Sequence, residues 1–191
     1  RLDLSPWDGD LNGALKNAAE QGVGHFLCVS IDLEHYPRLL EMAKSHEQIS
    51  VSVGVHPTSQ DGHDPSSEEL IALAAEPEVV AIGETGLDYF RCEEGEEGGL
   101  EWQRERFRQH IVASRATRKP LIIHMRDATE DTLRILKEEG ADEVGGVMHC
   151  FVENWAVAKR ALDLNFDISF SGIVTFNSAK ELKQVAKNIP G

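Results

Sequence analysis

Four side chains that could hold a metal ion recur in one local context. His56 follows the apolar run VSVGV, Glu84 follows VVAIG, His124 closes PLIIH, and His149 follows GGVM. Imidazole nitrogens and carboxylate oxygens suit Zn²⁺, Mn²⁺ or Mg²⁺ hydrolytic centres, where they fix one or two divalent ions and leave a position open for water. A carboxylate shared by two ions holds them ~3.5–4 Å apart. A plainer reading stands beside this one, because a lone histidine next to a strand is more often a hydrogen-bonded structural group. His25, His35, His46, His63 and His110 lack the strand-end context and keep that reading. Glu84 resists it: directly behind AIG and ahead of TGLD, a carboxylate is costly to bury unless a cation or a donor network compensates.

Residues so far apart in sequence act together only if the chain brings strand ends to one face. Apolar, β-branched runs at 25–31, 49–55, 79–83, 121–124, 146–149 and 167–170 read as strands. Segments at 10–21, 32–45, 66–75, 100–117, 128–139, 153–162 and 178–187 read as helices. This is the βαβ alternation of a parallel sheet, and several strands are nearly continuous in apolar residues, as expected when both faces are covered. Punctuation agrees: Ser66 and Ser67 precede Glu68 and Glu69 as an N-cap would, Gly140 stands where a C-cap belongs, and Pro120 sits before a strand. The acidic stretch EEGEEGG at 93–99 reads as a solvated loop. Neither a G-x-G-x-x-G turn nor a phosphate loop is present, which argues against a dinucleotide-binding sheet and for the (β/α)8 barrel. In a barrel, all strand carboxyl ends open onto one face. The candidate strands fall short of eight, and a barrel typically takes ~250 residues, so the expected fold is an incomplete TIM (β/α)8 barrel.

The chain has 191 residues, enough for one ordinary domain or part of a larger one, and 41% of them are hydrophobic. Its 19 Lys+Arg against 33 Asp+Glu give a formal charge of −14. That balance argues against wrapping duplex nucleic acid, or lying on an anionic membrane, through a broad basic face. It leaves open a small site where ions supply the positive charge. No apolar run approaches the ~18 residues of a membrane span. Cys28, Cys92 and Cys150 are odd in number, far apart and without a C-x-x-C pair, which reads as reduced thiols in a cytoplasmic compartment.

Six motifs, taken in order, resemble the TatD family of metal-dependent deoxyribonucleases over essentially the whole chain. They are GVHP at 54–57, GETGLDY at 83–89, EWQRERF at 101–107, PLIIHMRDA at 120–128, MHCF at 148–151 and SFSGIVTF at 169–176. The resemblance implies one partial TatD-like domain over 1–191: an amidohydrolase-like barrel that hydrolyses phosphodiester bonds with divalent metal, two ions being expected. It implies Glu84 as a ligand shared by both metals, with His124 and His149 as ligands of one of them, and these three as the catalytic set. His56, Tyr89 and Arg126 fall in motifs that line the active-site face and are the substrate-side candidates. The family pattern also has an H-x-H pair on its first strand and an Asp in an E-T-D segment on its last, and neither is found here. The first and last strands are therefore expected to be absent, with Arg1-Leu2-Asp3 starting after the pair and Pro190-Gly191 stopping before the last strand. With part of its ligand set missing, the chain as given should hold metal poorly.

For the intact parent, the resemblance implies hydrolysis by a metal-activated water. Arg126 could contact a neighbouring phosphate through its planar fork, the alternative being an ion pair with Asp127 or Glu130. The run QRERFRQH at 103–110, with Glu101 and Glu105 among its cations, reads as a solvated outer face with local pairs. The acidic surface favours DNA taken by strand ends or as single strands, in exonuclease fashion, with weak affinity for metal-free duplex. A cytoplasmic monomer is expected, or a nuclear one in a eukaryote, with no membrane partner. Two other readings stay open: a hydrolase of small ester, amide or aminoacyl bonds on the same scaffold, and a noncatalytic truncated family member.

Overall fold

The computed structural model describes residues 10–90 and 100–190; Cys92, the 93–99 loop, Arg1-Leu2-Asp3 and Gly191 lie outside the described residues. In chain order the elements are α1 (Leu11–Glu20), β1 (Phe26–Cys28), α2 (Tyr36–Lys44), β2 (Ile49–Val53), α3 (Ser67–Leu73), β3 (Val79–Asp88), α4 (Glu101–Thr117), β4 (Leu121–Arg126), α5 (Thr129–Glu138), β5 (Gly146–Met148), α6 (Trp155–Asp163), β6 (Phe166–Ile168) and α7 (Lys180–Asn188). Short 3₁₀ turns lie at Ala141–Glu143 and Gly172–Thr175. All six strands pair in parallel and in chain order, β1 to β6. That order never reverses, so the sheet is wound in one direction, as in a barrel, and every strand's carboxyl end lies on the same side.

The alternation of side chains across the strands sets what each face does. On β4, Leu121 and Ile123 are fully buried, while Ile122, His124 and Arg126 alternate to the opposite face. Val51, Val53, Ile82 and Leu87 join them in one core with Leu39, Leu70, Phe107, Ile111, Ile135 and Leu136 from the helices. Local signals fix the helix starts. Asp10, Ser66 and Asn154 accept from the amides of Gly13, Glu69 and Val157 at 2.9, 3.2 and 3.1 Å. Gly140 follows Glu139, the C-cap of α5, and takes φ +67°, the left-handed conformation favoured just past a helix end.

Several bounds differ from those expected, β1 ending at Cys28 and β4 running on to Arg126 among them, and three differences bear on the site. Helix α2 starts at Tyr36, later than expected, because the Asp32 side chain ties residues 32–35 into a turn through the His35 amide at 2.7 Å, and Pro37 suits a first helical turn. Strand β3 runs on to Asp88, well past the expected end at Gly83, because its pairing with β4 continues as far as Asp88 and Arg126. Helix α4 is not simply a solvated face. Gln103, Arg106, Phe107 and His110 are buried on it, whereas Arg104 and Arg108 make the expected surface pairs with Glu101.

Candidate metal centre

Two glycines let the strands beneath the site approach closely. A Cβ on Gly54 would lie 2.7 Å from the Gly83 Cα, and one on Gly83, where φ is +145°, would lie 2.6 Å from the Ile122 carbonyl oxygen. Buried serines fasten the same junction. The Ser52 hydroxyl donates to the Gly83 carbonyl at 2.6 Å, the Ser30 amide donates to Ser52 Oγ at 3.1 Å, and the Glu84 amide donates to the Ser30 carbonyl at 2.8 Å. Glu84 is thereby delivered from within β3, not from beyond its end.

Donor atoms of His56, Glu84 and His124 all lie within 4.8 Å of one another. These residues come from the loop after β2, from β3 and from β4, at the carboxyl side of the sheet. Glu84 Oε1 is 3.4 Å from His124 Nδ1 and 4.0 Å from His56 Nε2, and the two imidazoles pack edge to face with centroids 4.2 Å apart. Behind His124, its Nε2 lies 2.8 Å from Oδ2 of the buried Asp88. A carboxylate accepts, so Nε2 carries the hydrogen, and in a neutral ring the Nδ1 lone pair faces Glu84. Two acceptors so placed call for a proton or a cation between them.

Electrostatics carry the same message. Burial alone would lower the His124 pKa, but hydrogen bonds to Glu84 and Asp88 and their charges leave it raised. Burial would raise Glu84, yet bonding to His124 and the fields of His56, His149 and His124 hold it below the usual carboxylate range. Burial, with His124 alongside, pushes His56 down to about 4, so its ring is neutral at physiological pH and has a lone pair to give. Two imidazoles and an ionised carboxylate fit a divalent cation.

The other expected residues are placed differently. His149 lines a pocket with Glu84 and the Phe26, Cys28 and Ile31 side of the sheet, but it is not one of the three residues whose donors converge; its Nε2 is 3.5 Å from Cys150 Sγ. Arg126 stacks its guanidinium over the Phe90 ring at 3.5 Å, and Glu130, its alternative partner, is held by Arg160 at 2.7 and 2.9 Å. The Tyr89 hydroxyl donates to Asp131 at 2.7 Å, and Arg104 bonds the same oxygen at 2.8 Å; burial and Asp131 push this phenol up to about 12. His25, His35, His46 and His63 bond to Ser50, Asp32, the Met42 carbonyl and Glu69, as structural residues do.

Two residues near the site, Asp88 and Arg106, are not singled out by their sequence context, and His110 is the structural histidine its context predicts. Asp88 shares the strand parity of Glu84, a signal visible once β3 is drawn to its full length. Arg106, its side chain 4% exposed, pairs with Asp64 and donates to the carbonyls of His56 and Ser59 at 2.9 and 2.7 Å. One helical turn on, His110 accepts from the Val55 amide at 2.9 Å. Together they brace the loop that carries His56.

A family profile described as TatD related DNase matches residues 1–191. The chain belongs to this family. It is 43% identical over 190 residues to the uncharacterized metal-dependent hydrolase YcfH of Escherichia coli (strain K12), spanning 99% of this chain and 69% of the relative. It is 40% identical over 192 residues to the uncharacterized metal-dependent hydrolase YabD of Bacillus subtilis (strain 168), covering 99% and 73%. Among solved structures it superposes on YjjV, a TatD homologue from Escherichia coli K12, with a TM-score of 0.88 and 28% identity, covering 99% of this chain and 72% of that one. A TatD-family hydrolase from Entamoeba histolytica aligns at 0.79 and 28%, covering 95% and 62%. The six parallel strands are thus a half-barrel of the TatD TIM-barrel type, and the chain is a TatD-family metal-dependent hydrolase. Among the described residues, no helix is long and apolar enough to cross a membrane.

Proposed function

We propose that this chain forms the metal-holding part of a deoxyribonuclease that hydrolyses phosphodiester bonds at strand ends or in single strands. The observation that carries this reading is the convergence of His56, Glu84 and His124 within 4.8 Å in a chain matched to a DNase family. Glu84, His124 and His149 remain the proposed ligands, with Glu84 serving two ions. His56, first expected on the substrate side, joins them as a donor, its neutral Nε2 being turned toward Glu84. Divalent ions bound there would act as Lewis acids and lower the pKa of a bound water.

The chain's own residues set the rest. Glu84 stays ionised at neutral pH and so keeps its lone pairs for coordination. Arg126, oriented by the face of Phe90, presents a planar fork of N–H donors to a phosphate neighbouring the scissile one. A net charge of −14 disfavours a long duplex footprint, so DNA is held by a few contacts around the ions. The enzyme is proposed to work as a monomer in the cytoplasm.

The test uses the protein as encoded, stripped of metal and then supplied with Mg²⁺, Mn²⁺ or Zn²⁺. End-labelled linear single strands, circular single strands and small esters are compared as substrates. Linear strands should be degraded only with metal, and faster than circles; Arg126→Ala should raise KM several-fold and leave metal affinity unchanged. Ester turnover without any nuclease activity would overturn the assignment, as would submicromolar binding of metal-free duplex at physiological salt.

A further inference from the structure

We propose that Asp88 is a positioning residue that fixes the tautomer of His124, so that Nδ1 is the nitrogen offered to the metal. The proposal rests on the metal-holding reading of the cluster and not on the identity of the substrate. Asp88 is 4% exposed, and its backbone is clamped on both sides by one side chain, with Gln103 Oε1 accepting from its amide and Gln103 Nε2 donating to its carbonyl, both at 3.0 Å. Among the described residues its two carboxylate oxygens meet different partners. Oδ1 accepts from the Phe90 amide at 3.0 Å, and Oδ2 faces His124 Nε2 at 2.8 Å.

This division makes the outcome of an isosteric change specific. In Asp88→Asn the asparagine oxygen takes the place of Oδ1 as acceptor for the Phe90 amide, so the amide nitrogen is left facing His124 Nε2. A donor there obliges Nε2 to accept, which moves the ring proton to Nδ1. Nδ1–H would then donate to Glu84 Oε1, already 3.4 Å away, and fill with a proton the place meant for a cation. The same logic applies wherever a carboxylate behind a ligating imidazole selects its tautomer, and loss of such a partner typically costs 10- to 100-fold in metal affinity. A residue of merely structural importance would lower stability when altered. Here, with the ring neutral, the variant gains a hydrogen bond in its metal-free form.

The experiment compares wild type and Asp88→Asn in the protein as encoded. The ¹⁵N shifts of His124 are recorded metal-free in the alkaline range, where the ring is neutral, and Zn²⁺ alone is titrated calorimetrically. Wild type should show the Nε2–H tautomer and Asp88→Asn the Nδ1–H tautomer. The Zn²⁺ dissociation constant should rise about 10- to 100-fold, with a metal-free melting temperature, taken in the same alkaline range, equal to or above wild type. If the asparagine variant does not fold, Asp88→Ala should populate both tautomers and likewise weaken Zn²⁺. Retention of Nε2–H as the sole tautomer in a folded variant, or a dissociation constant within twofold of wild type, would overturn the proposal. Wild type that binds no Zn²⁺ would overturn it at its foundation, and the tautomer data would then separate that failure from one belonging to Asp88. No nucleic acid enters the measurement, so loss of the nuclease reading would leave this result standing.

Discussion

His110 and His124 are both withdrawn from solvent, yet they are held by opposite chemistry. His110, on α4, is completely buried between two backbone groups: Nδ1 donates to the Arg106 carbonyl at 2.8 Å and Nε2 accepts from the Val55 amide at 2.9 Å. Its ring is neutral and complete, and burial pushes its pKa down to about 4. His124 lies between Glu84 and Asp88, two groups of the same sign, and its pKa is raised. A histidine tied to backbone groups holds a loop in place. A histidine tied to carboxylates gathers more negative charge than it can balance, and that excess distinguishes a site from a brace. Asp131 makes the point from the other side, since Arg104 and Arg134 already meet its charge at 2.8 and 2.9 Å, whereas the ionic partners of Glu84 found among the described residues are histidines.

The largest effect should come from breaking the carboxylate side of this contrast. Glu84→Gln keeps the shape and removes the charge, and metal-dependent kcat/KM should fall by at least about a thousandfold, beyond the 10- to 100-fold typical of groups behind the ligands. Turnover that survived would move His124 into the same structural class as His110.

On the backbone side the expected effect is on stability and runs with pH. His110 binds its proton at about 4 when folded and near its ordinary value of 6.5 when unfolded. Between those values the unfolded chain carries the extra proton, so stability is fully present above 6.5 and lost as pH falls toward 4. The loss is on the order of 3 kcal/mol. Denaturant midpoints across this range in wild type and His110→Gln give the comparison, and a slope unchanged by the substitution would remove His110 as its source.

Arg106→Met tests the same brace one turn earlier. The carbonyls of His56 and Ser59 would each lose the guanidinium donor and Asp64 its ion-pair partner, and a loss of about 2 kcal/mol in unfolding free energy is expected. The smallest effect is assigned to Tyr89→Phe. Its hydroxyl serves an Asp131 that two arginines already neutralise, so stability should drop by about 1 kcal/mol with kcat unaltered. A drop in kcat would return Tyr89 to the active-site face.

Much of this was legible from local pattern. The strand and helix alternation is where periodicity placed it, and His56, Glu84 and His124 meet because neighbouring parallel strands of one sheet carry them on its carboxyl side. Asp88 was hidden because TGLD, with its glycine and aspartate, looks like a turn; what keeps it extended is pairing with β4, a long-range contact that outweighs local propensity. Arg106 was hidden by the alternating charges of its helix. Its partners are carbonyls contributed by a loop some fifty residues earlier, and local periodicity holds no record of them.

The sheet's strict chain order has a consequence for how the protein is made. His56, Glu84 and His124 belong to three successive strand units, each docking beside the one synthesised just before it. A ribosome releases chain from the N-terminus at ~5–20 residues per second. All three are therefore synthesised before β5 and β6, and the strands that bring their donors together are consecutive in order of synthesis.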